Sequence, residues 1–204
     1  MSPWGGLASI AAAKLVPIGV TAAAASTTAA TAAAEVPLSS LWSSGKPVLI
    51  YGIRRPGCTL CRDNAASIWA KEKEFAALGV ALAAVVHEAV DREVAAFSPA
   101  FWGGPLFCDA DKALYRAFGD GSLRTSGLGG LLNFGVWKRI AAATGRVGGG
   151  NTSGDSSVMG GVLLVTAGPG GKDPKIAYLD VEKTFGEFKG VDTYLAEAKK
   201  VVGK

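Results

Sequence analysis

Residues 47–62 read Pro47-Val48-Leu49-Ile50-Tyr51-Gly52-Ile53-Arg54-Arg55-Pro56-Gly57-Cys58-Thr59-Leu60-Cys61-Arg62. The run as far as Ile53 is continuously apolar with β-branched and aromatic members, which is typical of a strand buried on both faces. Beyond the Pro-Gly pair, apolar positions recur at helical steps as far as Phe75, and the run ends at Gly79. These residues therefore predict a buried strand, a sharp turn and a helix that carries both cysteines at its start.

The predicted helix start favours a reactive thiol at Cys58. Unpaired backbone N–H groups and the positive end of the helix dipole stabilise a thiolate there. Cysteines in such electropositive settings have pKa values lowered from about 8.5 to around 7 or less. Cys61 follows one turn later, so we expect Cys58 to attack a substrate and Cys61 to resolve the product as a disulfide. Arg54 adds positive charge, and the residues predicted to support the pair are Arg55, Pro56, Gly57 and Arg62.

Three other interpretations of the Cys-X-X-Cys pair are weaker. A structural zinc site needs about four ligands, and the chain otherwise offers only Cys108 and the single His87. A structural disulfide here would close a very short loop and gain little entropy. Two unrelated core cysteines remain an alternative, although the Pro-Gly turn and the arginines argue against it. We expect no metal ion, and we expect Cys108, on a predicted strand, to be a buried small hydrophobe.

The composition predicts a globular domain. The chain has 204 residues, of which 49% are hydrophobic and 19% charged, which is enough apolar material for one sizeable core. Its net charge of +4 comes from scattered basic residues, so no nucleic-acid partner is expected. Three cysteines do not make a secreted disulfide scaffold. We expect a cytoplasmic protein.

Residues 1–36 differ from the rest, with only Lys14 and Glu35 charged and many alanines after residue 21. The apolar part is interrupted by Lys14 and Pro17 and falls short of the ~20 residues of a membrane-spanning helix. It is interpreted as a tail, a targeting segment or a weak membrane anchor. Organelle targeting, secretion and membrane association through this segment stay open, and membrane contact is expected only here. The predicted domain covers residues 37–204.

Further strands are predicted at residues 80–86, 105–108, 158–165 and 175–181, the last two antiparallel. Helices are predicted at 91–97, after 109 and from 192 onward. Residues 122–150 are an insertion by thioredoxin standards, predicted to form a helix between glycine-rich ends. The residues that make it apolar are Leu128, Leu131, Leu132, Phe134, Trp137 and Ile140. This order predicts an α/β thioredoxin-like fold, a central mixed sheet flanked by helices, with the helical insertion before the last two strands.

Several short motifs are distinctive: Leu41-Trp42, Arg54 to Arg62, Leu78-Gly79-Val80, Ala84-Val85-Val86, Gly135-Val136-Trp137 and Gly160-Gly161-Val162. Together they resemble the peroxiredoxin-like 2 family, over about residues 37–202. The resemblance implies a thioredoxin-like fold and a redox-active pair at Cys58 and Cys61. The family's other branch, prostamide/prostaglandin F synthase, reduces an endoperoxide with electrons delivered through thioredoxin.

The resemblance implies a thiol-dependent antioxidant oxidoreductase that reduces peroxide, endoperoxide or disulfide bonds. No bound cofactor is expected, and the reducing equivalents would come from a thioredoxin or glutathione system, indirectly from NADPH. Expected partners are a thioredoxin-type reductant and a peroxide or lipid endoperoxide substrate. The alternative is a thioredoxin-like regulatory or interaction protein whose dithiol senses redox state without turnover. The insertion either covers the core or lines an apolar pocket beside Cys58 that selects lipid-like peroxides.

Overall fold

A mixed sheet of seven strands organises the part of the chain that the computed structural model describes, residues 6–18, 34–126 and 133–203. The strands are β1 (Lys14–Ile18), β2 (Val36–Pro37), β3 (Val48–Ile53), β4 (Ala81–Val86), β5 (Leu106–Cys108), β6 (Gly161–Thr166) and β7 (Lys175–Val181). Their order across the sheet is β2-β1-β5-β4-β3-β6-β7. The central strands β3, β4 and β5 are parallel, and the other pairings are antiparallel.

Helices cover this sheet. They are α1 (Thr59–Trp69), α2 (Glu72–Ala77), α3 (Asp91–Phe97), α4 (Ala113–Ala117), α5 (Phe134–Val147) and α6 (Val191–Val202). Short 3₁₀ segments occupy Gly6–Ile10 and Leu38–Trp42, and Pro169–Gly171 forms a tight turn between β6 and β7. The predicted α/β fold, with a mixed sheet and a helical insertion before the last two strands, is confirmed.

The helix after the dithiol differs from the prediction, which ran a single helix to Gly79. Lys71 leaves the helical region, with φ −103° and ψ 13°, so the segment splits into α1 and α2. The Lys71 carbonyl accepts hydrogen bonds from the N–H groups of Glu74 and Phe75 and so starts the second helix. Ile68 on α1 and Phe75 on α2 are nevertheless both fully buried in the same core, as the predicted apolar stripe requires.

Two apolar cores lie on opposite faces of the sheet. Alternate residues of β3 enter different cores: Leu49, Tyr51 and Ile53 pack with the dithiol helix and with α5 and α6, whereas Val48 and Ile50 pack with α4 and the 3₁₀ segments. This explains why β3 is apolar throughout. Both cysteines of the dithiol belong to the first core, at the end of a central strand.

The boundary predicted at residue 37 differs from the structure. Strand β1 pairs with β5, with Val16 opposite Cys108 and Ile18 opposite Leu106. Leu15 is fully buried and Leu7 nearly so, both in the second core. Residues 6–18 therefore belong to the folded sheet, because β1 covers an edge of β5 that would otherwise be unpaired. Residues 1–5 and 19–33 lie outside the described residues, and no helix among those described is long and apolar enough to cross a membrane.

Candidate active site

Cys58 lies where β3 passes into α1. It directly precedes the first helical residue, and its backbone is still extended, with φ −77° and ψ 126°. Its carbonyl accepts the first helical hydrogen bond, from the Arg62 N–H at 3.0 Å. Only 8% of Cys58 is exposed, and it lines a cavity open to the surface. The predicted position of Cys58 at the helix start is confirmed.

Arg54 is the arginine that contacts the thiol. Its Nη2 donates a hydrogen bond to the Cys58 sulfur at 3.2 Å. The guanidinium is held in place on two other sides, since its central carbon lies 4.3 Å from the centre of the Phe185 ring and its Nε lies 3.5 Å from Glu182 Oε2. Arg54 is 4% exposed, so little water screens its charge from the sulfur.

Glu182 anchors this arginine from the end of β7. Its side chain is 1% exposed and accepts hydrogen bonds from the N–H groups of Gly160, at 3.1 Å, and Gly186, at 2.6 Å. Burial raises the pKa of Glu182, and the Arg54 charge opposes that rise. Sequence reasoning missed this residue. The antiparallel pairing of β6 and β7 was predicted, and it was the only signal that could have placed Glu182 near the dithiol.

The pKa values of the two thiols are shifted in opposite directions. The pKa of Cys58 lies well below its usual value, chiefly because the Cys61 thiol hydrogen-bonds to it and also because of the Arg54 charge, while burial works against this. The same hydrogen bond and burial raise the pKa of Cys61 well above its usual value. These opposite shifts favour Cys58 as the thiolate of the pair, with the buried Cys61 thiol as its hydrogen-bond donor.

A hydrogen-bond clamp fixes the turn before Cys58. Arg62 donates from Nε to the Pro56 carbonyl at 2.9 Å and from Nη2 to Glu93 Oε2 at 3.3 Å. Asn151 donates to the same Glu93 oxygen at 2.8 Å, and its backbone N–H donates to the Gly57 carbonyl, also at 2.8 Å. A Cβ at Gly57 would collide with the Asn151 and Glu93 side chains. Pro56, Gly57 and Arg62 thus shape the turn and do not contact the sulfur.

A cavity of about 420 Å³ opens beside Cys58. Helix α5 contributes Val136, Trp137 and Ile140 to its wall, and Phe185 adds a further apolar surface. Val136 is fully buried, whereas Trp137 is 55% exposed at the surface. The helical insertion thus covers the core and lines the cavity at once. Its predicted residues Leu128, Leu131 and Leu132 lie outside the described residues.

The remaining candidate residues lie apart from the sulfur. Arg55 lines the cavity, and its carbonyl accepts a hydrogen bond from the Cys58 N–H at 3.3 Å. Cys108 is half-buried on β5, between Val86 and Val16 in the register, and packs against the first core as a small hydrophobe would. His87 is buried and stacks edge-on against Tyr115, with ring centres 5.1 Å apart. Among the residues described, no group of three or more His, Cys, Asp or Glu side chains is placed to hold a metal ion.

Comparison with known proteins identifies the family. Residues 67–179 match the model described as AhpC/TSA antioxidant enzyme, a range that begins after the dithiol. Peroxiredoxin-like 2A of Danio rerio is 35% identical over 163 residues, covering 80% of this chain and 72% of that protein. Peroxiredoxin-like 2A of Rattus norvegicus is 35% identical over 161 residues, covering 79% of this chain and 66% of that protein.

Solved structures agree on the fold. Peroxiredoxin Q of Xanthomonas campestris superposes with a TM-score of 0.60 at 16% identity, over 96% of this chain and 94% of that one. The resemblance to the peroxiredoxin-like 2 family is confirmed by the relatives, and the thioredoxin-like fold by the structural neighbour. The chain therefore belongs to the AhpC/TSA antioxidant enzyme family, in its peroxiredoxin-like branch.

Proposed function

We propose that this protein is a thiol-dependent peroxide reductase in which Cys58 attacks the peroxide and Cys61 resolves the product. The observation that carries the proposal is the hydrogen bond from Arg54 Nη2 to the Cys58 sulfur, at a helix start that borders an open cavity. A fixed cation and a thiol donor together favour the thiolate, which is the nucleophilic form. Membership of an antioxidant enzyme family supports the same chemistry.

The reaction proceeds in two steps at the dithiol. The Cys58 thiolate attacks the terminal peroxide oxygen, the O–O bond breaks, and the leaving alkoxide takes up a proton to become an alcohol. Cys58 is left as a sulfenic acid. The Cys61 thiol then attacks the Cys58 sulfur, the S–O bond breaks, and hydroxide leaves with the Cys61 proton as water. The resulting disulfide is the oxidised form of the pair, which has given two electrons to the peroxide.

An external dithiol must return the pair to the reduced state. We propose a thioredoxin-type reductant, with glutathione as the other candidate donor, and NADPH as the indirect source of electrons. The reduction potential of the surrounding thiol pool decides whether the pair rests as a dithiol or as a disulfide. We propose a cytoplasmic location, where the reduced thiol pool would keep the pair as a dithiol. No cofactor held by the protein itself enters the cycle.

Steady-state turnover tests the proposal. The protein is mixed with hydrogen peroxide, thioredoxin, thioredoxin reductase and NADPH, and NADPH consumption is followed. We expect turnover in the native protein and none above background in Cys58→Ser, whereas Cys108→Ser should retain it. If the dithiol oxidises once and is never recycled by thioredoxin or glutathione, the protein is a redox sensor without turnover and the reductase proposal fails.

A further inference from the structure

Helix α5 presents two aromatic side chains to the solvent at its start. Phe134 is 83% exposed and Trp137 is 55% exposed. They are three residues apart in the helix, so they lie side by side on one face. Single exposed apolar residues are common, but a contiguous apolar patch marks an interaction surface, and aromatic side chains are enriched at the centres of interfaces. We call Phe134 and Trp137 the aromatic face of α5.

The inner side of α5 holds this face in a fixed position. Val136 and Ala143 are fully buried. Near the end of the helix, Arg146 donates two hydrogen bonds, each of 2.7 Å, to the carboxylate of Asp63 on α1. Helix α5 is therefore anchored on the helix that bears the dithiol at its start, and a partner would meet a preformed surface. Binding to a preformed surface loses less conformational entropy.

The aromatic face borders the path to the Cys58 sulfur. Trp137 lines the cavity that opens beside Cys58. Cys58 is slightly exposed and Cys61 almost completely buried, so a thiolate from outside meets Cys58 first. Bonded sulfur atoms are about 2 Å apart. A protein whose thiolate attacks Cys58 must therefore press its surface against the rim of this cavity, and Trp137 joins that rim to the aromatic face.

The charges near the rim are basic. Arg55 lines the cavity, and Lys138 is exposed on α5 next to Trp137 in the sequence. Among the described residues that line the cavity, none is acidic. Complementary charges steer two proteins together and set their orientation. The partner that fits this surface has an apolar centre around its reactive thiol and acidic side chains at the edge.

We propose that the aromatic face of α5 is the docking surface for a protein dithiol of the thioredoxin type, which reduces the Cys58–Cys61 disulfide. This inference rests on the proposed function, because it locates the binding of the reductant named there. The reach of the attacking thiolate is what selects this occupant, since only a partner that exchanges thiols with Cys58 has to cover this rim.

Two thiol exchanges take place in the docked complex. The first thiolate of the reductant attacks Cys58, the Cys58–Cys61 bond breaks, and the Cys61 thiolate takes up a proton. The second thiol of the reductant then loses a proton and attacks the first, which releases the Cys58 thiolate. Two electrons have passed to the pair, and the reductant leaves as a disulfide. Release of Cys58 is favoured because thiols of low pKa leave faster and the pKa of Cys58 is lowered.

Reduction of a preformed disulfide tests the docking surface. The pair is oxidised with diamide, without peroxide, and the rate constants for its reduction by thioredoxin and by dithiothreitol are measured by acid quenching and mass spectrometry. In Phe134→Ser we expect the rate constant with thioredoxin to fall at least about tenfold, as after removal of an aromatic hot spot. The rate constant with dithiothreitol should not change, because so small a dithiol needs no docking surface.

The ratio of the two rate constants is the deciding quantity for Trp137. Trp137→Ser alters the cavity wall and so changes access for both reductants, but the ratio of thioredoxin to dithiothreitol rates should still fall at least about tenfold. Leu179→Ser is the matched control. Leu179 is exposed on β7 and pairs with Leu163 of the second core, so it lies on the face of the sheet away from the dithiol. Its ratio should equal that of the native protein.

Three results would overturn the inference. The first is an undiminished ratio in folded Phe134→Ser and Trp137→Ser, and the second is an equal loss in Leu179→Ser. The third is a thioredoxin rate that Phe134→Ser leaves unchanged while the variant no longer sediments with phosphatidylserine vesicles or no longer dimerises. In that case the aromatic face binds a membrane or a second copy of the chain.

The same experiment separates this inference from the peroxidase proposal, because the disulfide is made without peroxide. A ratio that depends on Phe134, in a protein that never reacts with peroxide, would refute only the proposed function. Peroxide turnover with an undiminished ratio in Phe134→Ser would refute only the docking surface. A thioredoxin whose second cysteine is replaced by serine should be trapped as a mixed disulfide on Cys58, and trapping on Cys61 would contradict the inferred approach.

Discussion

Arg54 is the charged side chain that acts most directly on the acidity of Cys58, because it donates a hydrogen bond to the sulfur. Replacing Arg54 by Gln removes the charge and should slow alkylation of Cys58 by iodoacetamide at pH 7 by about tenfold or more, since hydrogen bonds to charged groups contribute about 1.5–3 kcal/mol. The exposed Arg116, which donates to the Asp111 carbonyl at 2.7 Å, offers the control Arg116→Gln. Equal slowing in both variants would show that net charge, and not this contact, sets the reactivity.

Cys61 affects Cys58 through its thiol hydrogen, which leads to a pH prediction. The pKa of Cys58 is lowered first of all by that hydrogen bond. Alkylation should be fast above the lowered pKa and decline as the pH falls through it. In Cys61→Ala the donor is lost, so the pKa of Cys58 should rise and the decline should begin at higher pH. In Cys61→Ser a hydroxyl donor remains, so the curve should stay near that of the native protein. Coincident curves for the alanine and native proteins would refute the assignment of Cys61 as donor.

The arginines around Cys58 show how much of the site can be predicted from the sequence and how much cannot. Their closeness to the thiols follows from chain proximity, and the strand pattern, the Pro-Gly turn and the helical periodicity together predict the reactive thiol at a helix start. Which arginine meets the sulfur depends on the direction in which each side chain leaves the end of β3. That direction is set by Glu182 and Phe185, which come from the far end of the chain and have no local signature.

At the scale of elements, the turn before α1 is joined to the loop before β6 by the clamp of Arg62, Glu93 and Asn151. Glu93→Gln removes the charge that pairs with Arg62. Because a buried charged group then lacks its partner, we expect the free energy of unfolding to fall by about 1–3 kcal/mol in urea denaturation. The comparison is Glu197→Gln, which breaks the largely exposed pair with Lys200 and should cost less than about 0.5 kcal/mol. A loss no greater in Glu93→Gln than in Glu197→Gln would mean that the clamp carries no stability.

Strand prediction succeeded for β3 to β7 and missed β1 and β2. The two-sided burial of β3 and β4 makes every residue apolar, so the run itself identifies the strand. Strand β1 is an outer strand that contains Lys14 and Pro17, and its pairing with β5 is a long-range contact. Nothing in five residues of mixed character distinguishes such a strand from an unstructured segment.

At the scale of the whole molecule, we expect residues 6–18 to unfold together with the rest of the domain. Leu15 is fully buried in the second core. Leu15→Ala should therefore lower the free energy of unfolding by about 2–5 kcal/mol, in a single transition seen by fluorescence and circular dichroism alike. Lys14→Ala removes only an exposed ion pair with Glu35 and should change it by less than about 1 kcal/mol. If Leu15→Ala left the free energy of unfolding unchanged, residues 6–18 would be a tail that adds no stability to the domain.

The central claim for the molecule is that a peroxide first oxidises Cys58 to a sulfenic acid. Cys61 then attacks Cys58 to form the disulfide. Its most direct test is mass mapping after the reduced protein reacts with an equimolar amount of hydrogen peroxide. The account predicts a Cys58–Cys61 disulfide with Cys108 still reduced, a sulfenic acid on Cys58 in Cys61→Ser, and no reaction at this rate in Cys58→Ser. Oxidation that falls first on Cys108, or that proceeds equally fast in Cys58→Ser, would contradict it.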